Sequence, residues 1–203
     1  MRRPYVLAYN RHPNHPCGLV DSEWAVAEPV GGLGHRHIAL VTGHLASSDR
    51  ALQRSRGFCQ GMQPLGLDGS QVLEVPFVST ATGQISDLLE RQPRVTALVC
   101  SNDLLAIRSI RAAHAAGLSV PRDLSVVGFD GIALGEDLTP RLSTITQPNA
   151  DIGRHSVALL VQALSSGAAL TPNVSLSLNH GFRQGESCAQ AALLPQQISL
   201  PSA

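Results

Sequence analysis

The stretch TALVCSNDLLAIRSIRAAHAAGLSVPRDLSVVGFD, Thr96–Asp130, decides the fold. It opens with a short unbroken apolar run, Thr96–Cys100, and ends with another, Ser125–Phe129. Between them Leu104, Ile107, Ile110 and Ala113 recur at helical spacing. Gly117, with Leu118 and Pro121 behind it, supplies a glycine stop followed by a breaker. Runs that are apolar at every position, not at alternate ones, belong to strands buried on both faces. The unit therefore predicts two parallel strands joined by a right-handed crossover helix.

The same alternation extends outward in both directions. Pro4–Tyr9, His37–Val41, Val72–Val75, Thr144–Thr146 and Val174–Leu178 read as further short strands. Ser48 is placed to cap a helix running to Met62, with Leu52, Ser55, Cys59 and Met62 on one stripe. A helix is predicted around Ile85–Arg91. Another runs from Pro148 to about Leu164, with Ile152, Leu159 and Ala163 inward and Gly167 at its end. Asp21–Leu33 is weakly helical, and Pro29 with Gly31–Gly32 should keep that helix short or kinked. His12–Gly18 reads as a proline-rich loop, and the chain from Ala189 as a loose tail. The whole predicts an α/β fold: a parallel sheet with helices on both faces.

Composition narrows the function. Of 203 residues, 43% are hydrophobic and only 3% aromatic, so the core must be aliphatic. Fifteen basic and 15 acidic residues give zero formal charge, which excludes the diffuse positive field of a nucleic-acid-binding segment. Cys17, Cys59, Cys100 and Cys188 are scattered, which argues for reduced thiols and a cytoplasmic chain. No stretch approaches the length of a membrane span, and the apolar run within Met1–Asn10 is too short for a signal peptide.

Catalytic and metal motifs find little support. Gly32–His37, GLGHRH, lacks the third glycine of a dinucleotide loop and precedes its strand. Ser101–Asn102–Asp103 has the residues of a β-lactamase triplet in scrambled order, without the accompanying S-x-x-K. His12, His15, Cys17, His35 and His37 can be drawn as a zinc site, but a solvated proline-rich loop is the better reading. The chain is expected to be no enzyme and to carry no cofactor or metal.

In a doubly wound parallel sheet, ligands bind beyond the carboxyl ends of the strands. The polar groups there are Asn10 and Arg11, His44 to Arg50, Phe77 to Thr80, Asn102 and Asp103, and Asp130. Three of these, together with Arg54 on the core side of the helix that Ser48 caps, have two readings each. Asp130 is a turn cap or a ligand carboxylate. Arg54 is a surface ion-pair partner of Asp49 or a donor fork for ligand oxygens. Asn102 caps the following helix or bonds a ligand, and Phe77 is core or a flat apolar face.

Three segments together resemble the sensor domain of the lactose/galactose-repressor (LacI/GalR) family. They are LGHRHIALVTG at Leu33–Gly43, the Ser101–Asp130 stretch with SNDLLAIRSIRAAHAAGL and VPRDLSVVGFD, and LTPRLSTITQP at Leu138–Pro148. The resemblance runs over Pro4 to Glu186. It implies a periplasmic-binding-protein-like fold: one complete lobe plus remnants of a second, with the effector in the cleft between. Residues 21–142 and 172–186 would form the C-terminal lobe, 1–20 and 143–171 the remnants, and 187–203 a tail. By position, Arg54, Asn102, Asp130 and Phe77 match the family's ligand contacts, with Ser48 and Arg50 beside them. Gly131 stands where the family often has a second aspartate, and Tyr9 where some relatives place an acidic residue. The implied function is effector binding by a repressor-type regulator: a sugar, sugar acid or purine in a homodimer, with no membrane. Operator DNA would be reached only through a helix-turn-helix headpiece outside these residues. Sugar-binding uptake proteins share the fold and form the alternative, together with a remnant that binds neither ligand nor DNA.

Overall fold

The computed structural model describes residues 6–8, 18–21, 28–78, 81–91, 94–166 and 175–191. Its main body is a six-stranded sheet. In chain order the strands are β3 (Ile38–Thr42), β4 (Val72–Glu74), β5 (Ala97–Cys100), β6 (Ser125–Asp130), β7 (Ser143–Thr146) and β9 (Gly181–Arg183). In space they run β4-β3-β5-β6-β7-β9; the first five are parallel and β9 is antiparallel to β7. A second sheet pairs β1 (Val6–Ala8), β2 (Gly18–Asp21) and β8 (Ser175–Ser177), all parallel.

The unbroken apolar runs are buried on both faces, as a covered parallel sheet requires. Every residue of β3 and of β5 is buried. Successive side chains point to opposite faces, so the strands feed two cores. Ala39, Val41, Leu98, Cys100 and Val126 join Ile85, Leu88 and Leu89 of α3 (Thr82–Glu90) and Leu105, Ile110 and Ala113 of α4 (Asp103–Ala115). Ile38, Leu40, Ala97, Val99 and Phe129 join Phe58 and Met62 of α2 (Asp49–Met62) and Val30 of α1 (Glu28–Gly31). Thus α2 lies on one face and α4 on the other. The order reverses between β3 and β5, the topological switch point where a crevice opens at the strand ends.

Several expectations needed correction. On α4, Leu104 is 47% exposed and Ile107 only half-buried; the inward face carries Leu105, Ala106, Ser109, Ile110 and Ala113. Small residues there let the helix lie close to the sheet, which large-residue periodicity does not register. Gly117, at φ 75°, does end this helix, with Leu118 N–H bonded back to the Ala113 carbonyl at 2.8 Å. Asp21 belongs to a strand, not a helix, and the helix further on is the single turn α1.

Two strands join the sheet opposite to the one expected. β7 pairs with β6 in the large sheet, and β8 pairs with β2 in the small one. The return to the large sheet is made by β9, which the alternation of apolar residues did not reveal. The cause is hydrogen bonding. Ser143 and Thr144 of β7 are buried because Ser187 Oγ accepts from Ser143 N–H at 2.9 Å and Asp103 accepts from the Thr144 hydroxyl. Helix α5 (Asn149–Ser166) then packs on β1 and β2, with Ile152 and Ala163 buried and Leu159 half-buried.

The tail also begins later than expected. Ser187 is fully buried, and its hydroxyl donates to the Val126 carbonyl at 2.6 Å. Ala191 N–H bonds the Leu33 carbonyl at 2.9 Å. His35, 4% exposed, ties this segment to the starts of two strands. Its ring contacts Thr96 Oγ1 at 3.0 Å, Ser125 Oγ at 3.1 Å and the Ala189 carbonyl at 3.0 Å. Burial lowers its pKa from the ordinary 6.5, against the opposing bond to Ala189. Residues 192–203, like the loop with His12, His15 and Cys17, lie outside the described residues.

Two stability measurements follow. Leu98→Ala should cost about 3 kcal/mol in urea unfolding, because Leu98 is wholly buried in the first core; a loss under about 1 kcal/mol would contradict that packing. On acidification the unfolded chain protonates His35 first, so the stability held above pH 6.5 is lost as pH falls towards the depressed native value. His35→Asn should flatten that part of the stability–pH curve.

Candidate functional site

The crevice at the switch point is a pocket of about 280 Å3 lined by Ser48, Arg50, Ala51, Arg54, Phe77, Ser101, Asn102, Leu104, Asp130 and Ile132. It therefore gathers Ser48, Arg50, Arg54, Phe77, Asn102 and Asp130, the residues singled out from the sequence. Asn10 and Arg11, also in that strand-end set, lie outside the described residues.

Two helix N-termini open on the pocket. Ser48 caps α2, its Oγ accepting from Ala51 N–H at 3.2 Å. Asn102 caps α4, its Oδ1 accepting from Leu105 N–H at 2.9 Å. The two readings of Asn102 are thus compatible: the oxygen serves the helix while the residue lines the pocket. Both ends carry the positive partial charge of the helix dipole.

Arg54 is not a surface partner of Asp49. Its side chain is 5% exposed, and its guanidinium carbon lies 3.9 Å from the centre of the Phe129 ring. Nη1 donates to the Ser101 carbonyl, and Nη2 donates to Asp130 Oδ1 at 3.0 Å. The helical position of Arg54 explains this: it shares the inward face of α2 with Ala51, Ser55 and Phe58. Buried there, a guanidinium requires acceptors, and the ends of β5 and β6 supply them.

Asp130 follows the last apolar residue of β6 with φ 117°, a conformation costing an L-residue about 1–3 kcal/mol. Gly131 follows at φ 73°, where a Cβ would come within 2.8 Å of the Thr146 side chain. The reversed turn carries Asp130 to Arg54 and to Gln147, whose amide donates to the same Oδ1 at 3.1 Å. Burial raises the Asp130 pKa above the ordinary carboxylate value; the charge and hydrogen bond of Arg54, the charge of Arg50 and the Gln147 bond oppose it. Burial dominates because the carboxylate sits in a crevice with its side chain only 34% exposed.

Phe77 is 55% exposed and lies against Gly43, where a Cβ would strike its ring. That exposure argues against a core role for its ring. Arg50 is exposed.

Several contributors escaped the strand-end rule, among them Ala51 and Ser101 of the lining. Gln147 obeys the same rule, but from sequence its strand belongs to the other sheet. Leu104 and Ile132 supply apolar wall, and nothing local separates them from core residues. Asp103 belongs to the strand-end set by position alone. It is wholly buried, accepting from Thr144 Oγ1 and, through Oδ2, from Ile132 N–H at 2.8 Å.

No group of three or more potential metal ligands occurs among the described residues. His35 is committed to the hydrogen bonds that hold the strand starts together. Burial pushes the thiols of Cys100 and Cys188 up to about 12 and about 11, so neither is a thiolate at neutral pH. No helix among the described residues is long and apolar enough to cross a membrane.

Residues 30–188 match the family described as a periplasmic binding protein-like domain. The ribose operon repressor of Haemophilus influenzae is 35% identical over 136 residues, 66% of this chain and 41% of the repressor. Among solved structures, the transcriptional regulator CelR–cellobiose complex superposes with TM-score 0.76 at 26% identity, over 86% of this chain and 55% of that one. A regulatory protein of the LacI family from Chloroflexus aggregans gives TM-score 0.78 at 28% identity, over 93% and 69%. The chain thus spans well under half the length of the ribose repressor it matches. The matched span takes in the six-stranded sheet and every residue of its pocket, and by it the chain belongs to the periplasmic binding protein-like family.

Proposed function

We propose that the chain is the effector-binding part of a repressor-type transcriptional regulator, and that the crevice between β3 and β5 takes a small polar ligand, a sugar, sugar acid or purine. The observation that carries this reading is the Arg54–Asp130 pair at the pocket, with its carboxylate a third exposed and its arginine buried. Such a pair offers a charged acceptor and fixed donors in a desolvated setting, where hydrogen bonds to hydroxyl groups are strong. Asn102 and Ser48 add polar contacts, Arg50 a rim cation, and Phe77 an exposed ring for the apolar face of a sugar or base. A sugar, sugar acid or purine meets this chemistry. The solved relative holding cellobiose supports the class.

In this reading the chain performs no chemistry and needs no cofactor. Ligand shifts the regulator between two states by binding one of them better, a coupling of about 1–3 kcal/mol. The sensor works as a cytoplasmic homodimer, and operator DNA is contacted through a separate headpiece. Residues 143–171 contribute a strand to the large sheet as well as helix α5, so the two lobes interleave here instead of dividing at 143.

Calorimetry with D-ribose, D-glucose, cellobiose, D-gluconate and hypoxanthine tests the assignment. At least one should bind, and Arg54→Lys and Asp130→Asn should each weaken it roughly 10- to 100-fold. Binding unaffected by either change, or no binding at all, would overturn it. Affinity should also depend on pH. A ligand hydroxyl donating to Asp130 needs the ionised carboxylate, so affinity should fall as pH drops through its raised pKa, at higher pH than for an ordinary carboxylate. Asp130→Asn should lose that dependence.

A further inference from the structure

The groups that hold Asp130 in its strained turn lie largely outside the pocket. Ile132, two residues on, is gripped through both backbone atoms. Its N–H donates to Asp103 Oδ2 at 2.8 Å, and its carbonyl accepts from Arg183 Nη2 at 2.9 Å. The Arg183 Nη1 donates to Glu136 Oε1 at 2.7 Å and reaches the Gly131 carbonyl at 3.5 Å. Asp103 is itself fixed, since its other oxygen accepts from the Thr144 hydroxyl. Gly128 makes room for it: a Cβ there would collide with Asp103 Oδ1. Gly131 and Ile132, directly after Asp130, are thus braced by an acceptor at the start of α4 and a donor at the end of β9.

The brace touches two of the three connections between the sheets. β7 leads through Gln147 into α5, which packs on β1 and β2 of the small sheet. β9 follows closely on β8, which pairs with β2. Gln147 bonds the Asp130 carboxylate directly, and Arg183 holds its turn.

We propose that Asp103 and Arg183 are positioning residues of the pocket, holding the Asp130–Gly131–Ile132 turn so that the Asp130 carboxylate faces Arg54. Neither lines the pocket. They act through the turn, and through Arg183 and Gln147 the orientation of Asp130 follows the chain connections that flank β8. The functional meaning of this brace rests on reading the pocket as a ligand site. Its test needs no ligand, so a failure to find an effector would leave it standing.

The readout is the Arg54 guanidinium in 15N-edited NMR spectra of the whole chain. In the native protein its Nη protons, held by Ser101 and Asp130, should exchange slowly with water. Arg183→Lys keeps the charge but removes the planar fork, and Asp103→Asn replaces one acceptor oxygen with a donor. Each should speed exchange at Arg54 by about tenfold or more, with the amide signals of β3 and β5 unchanged. Arg141→Gln, which breaks the exposed ion pair with Glu186 beside the same strands, should not. Should Asp103→Asn fail to fold, Arg183→Lys decides. Native exchange at Arg54 in the folded variants, or equal acceleration by Arg141→Gln, would overturn the proposal.

Discussion

A parallel sheet covered by helices on both faces has little room for a charged side chain along its strands. Each strand interior is desolvated from both sides, so ionised groups are costly there unless paired. In this chain the constraint is visible residue by residue: β3 and β5 are buried throughout. Polar chemistry is therefore displaced to the strand ends. Where the strand order reverses, α2 and α4 leave on opposite faces and the ends of β3 and β5 are uncovered. The pocket is the consequence of that geometry.

The Arg54–Asp130 pair follows from the same constraint. Arg54 occupies a helix face that otherwise meets the sheet, so its charge is buried whether or not a ligand is present. The cost is met by the Ser101 carbonyl, the Phe129 ring and Asp130, which together occupy the ends of two neighbouring strands. Asp130 is less enclosed than its partner. Burial still raises its pKa because desolvation outweighs the nearby cations. Its carboxylate, a third exposed, is open to a donor arriving from the crevice.

The opposite ends of the strands are closed by hydrogen bonds. His35 ties Thr96, Ser125 and Ala189, and Ser187 fastens the C-terminal segment to β6 and β7. One end of the sheet is thus pinned while the other carries the pocket. This polarity arises because strand ends are where side-chain hydroxyls and imidazoles can pair without crossing the apolar layers.

Sequence determined most of the elements, though not β2 or β9, and the ends at which function gathers. Continuous apolar runs marked β3, β5 and β6, Ser48 and Gly117 marked helix boundaries, and the strand-end rule collected Ser48, Arg50, Phe77, Asn102 and Asp130 before any pairing was known. These are short-range signals, set by desolvation and by local backbone conformation. Tertiary structure alone decided which sheet the short strands β7 and β8 join. It also revealed β9, and it set the partner of Arg54, 76 residues away in the chain. Such choices depend on hydrogen bonds between distant residues. Thr144 is at home in the large sheet because Asp103 waits there, and nothing within either residue's own neighbourhood records that fact.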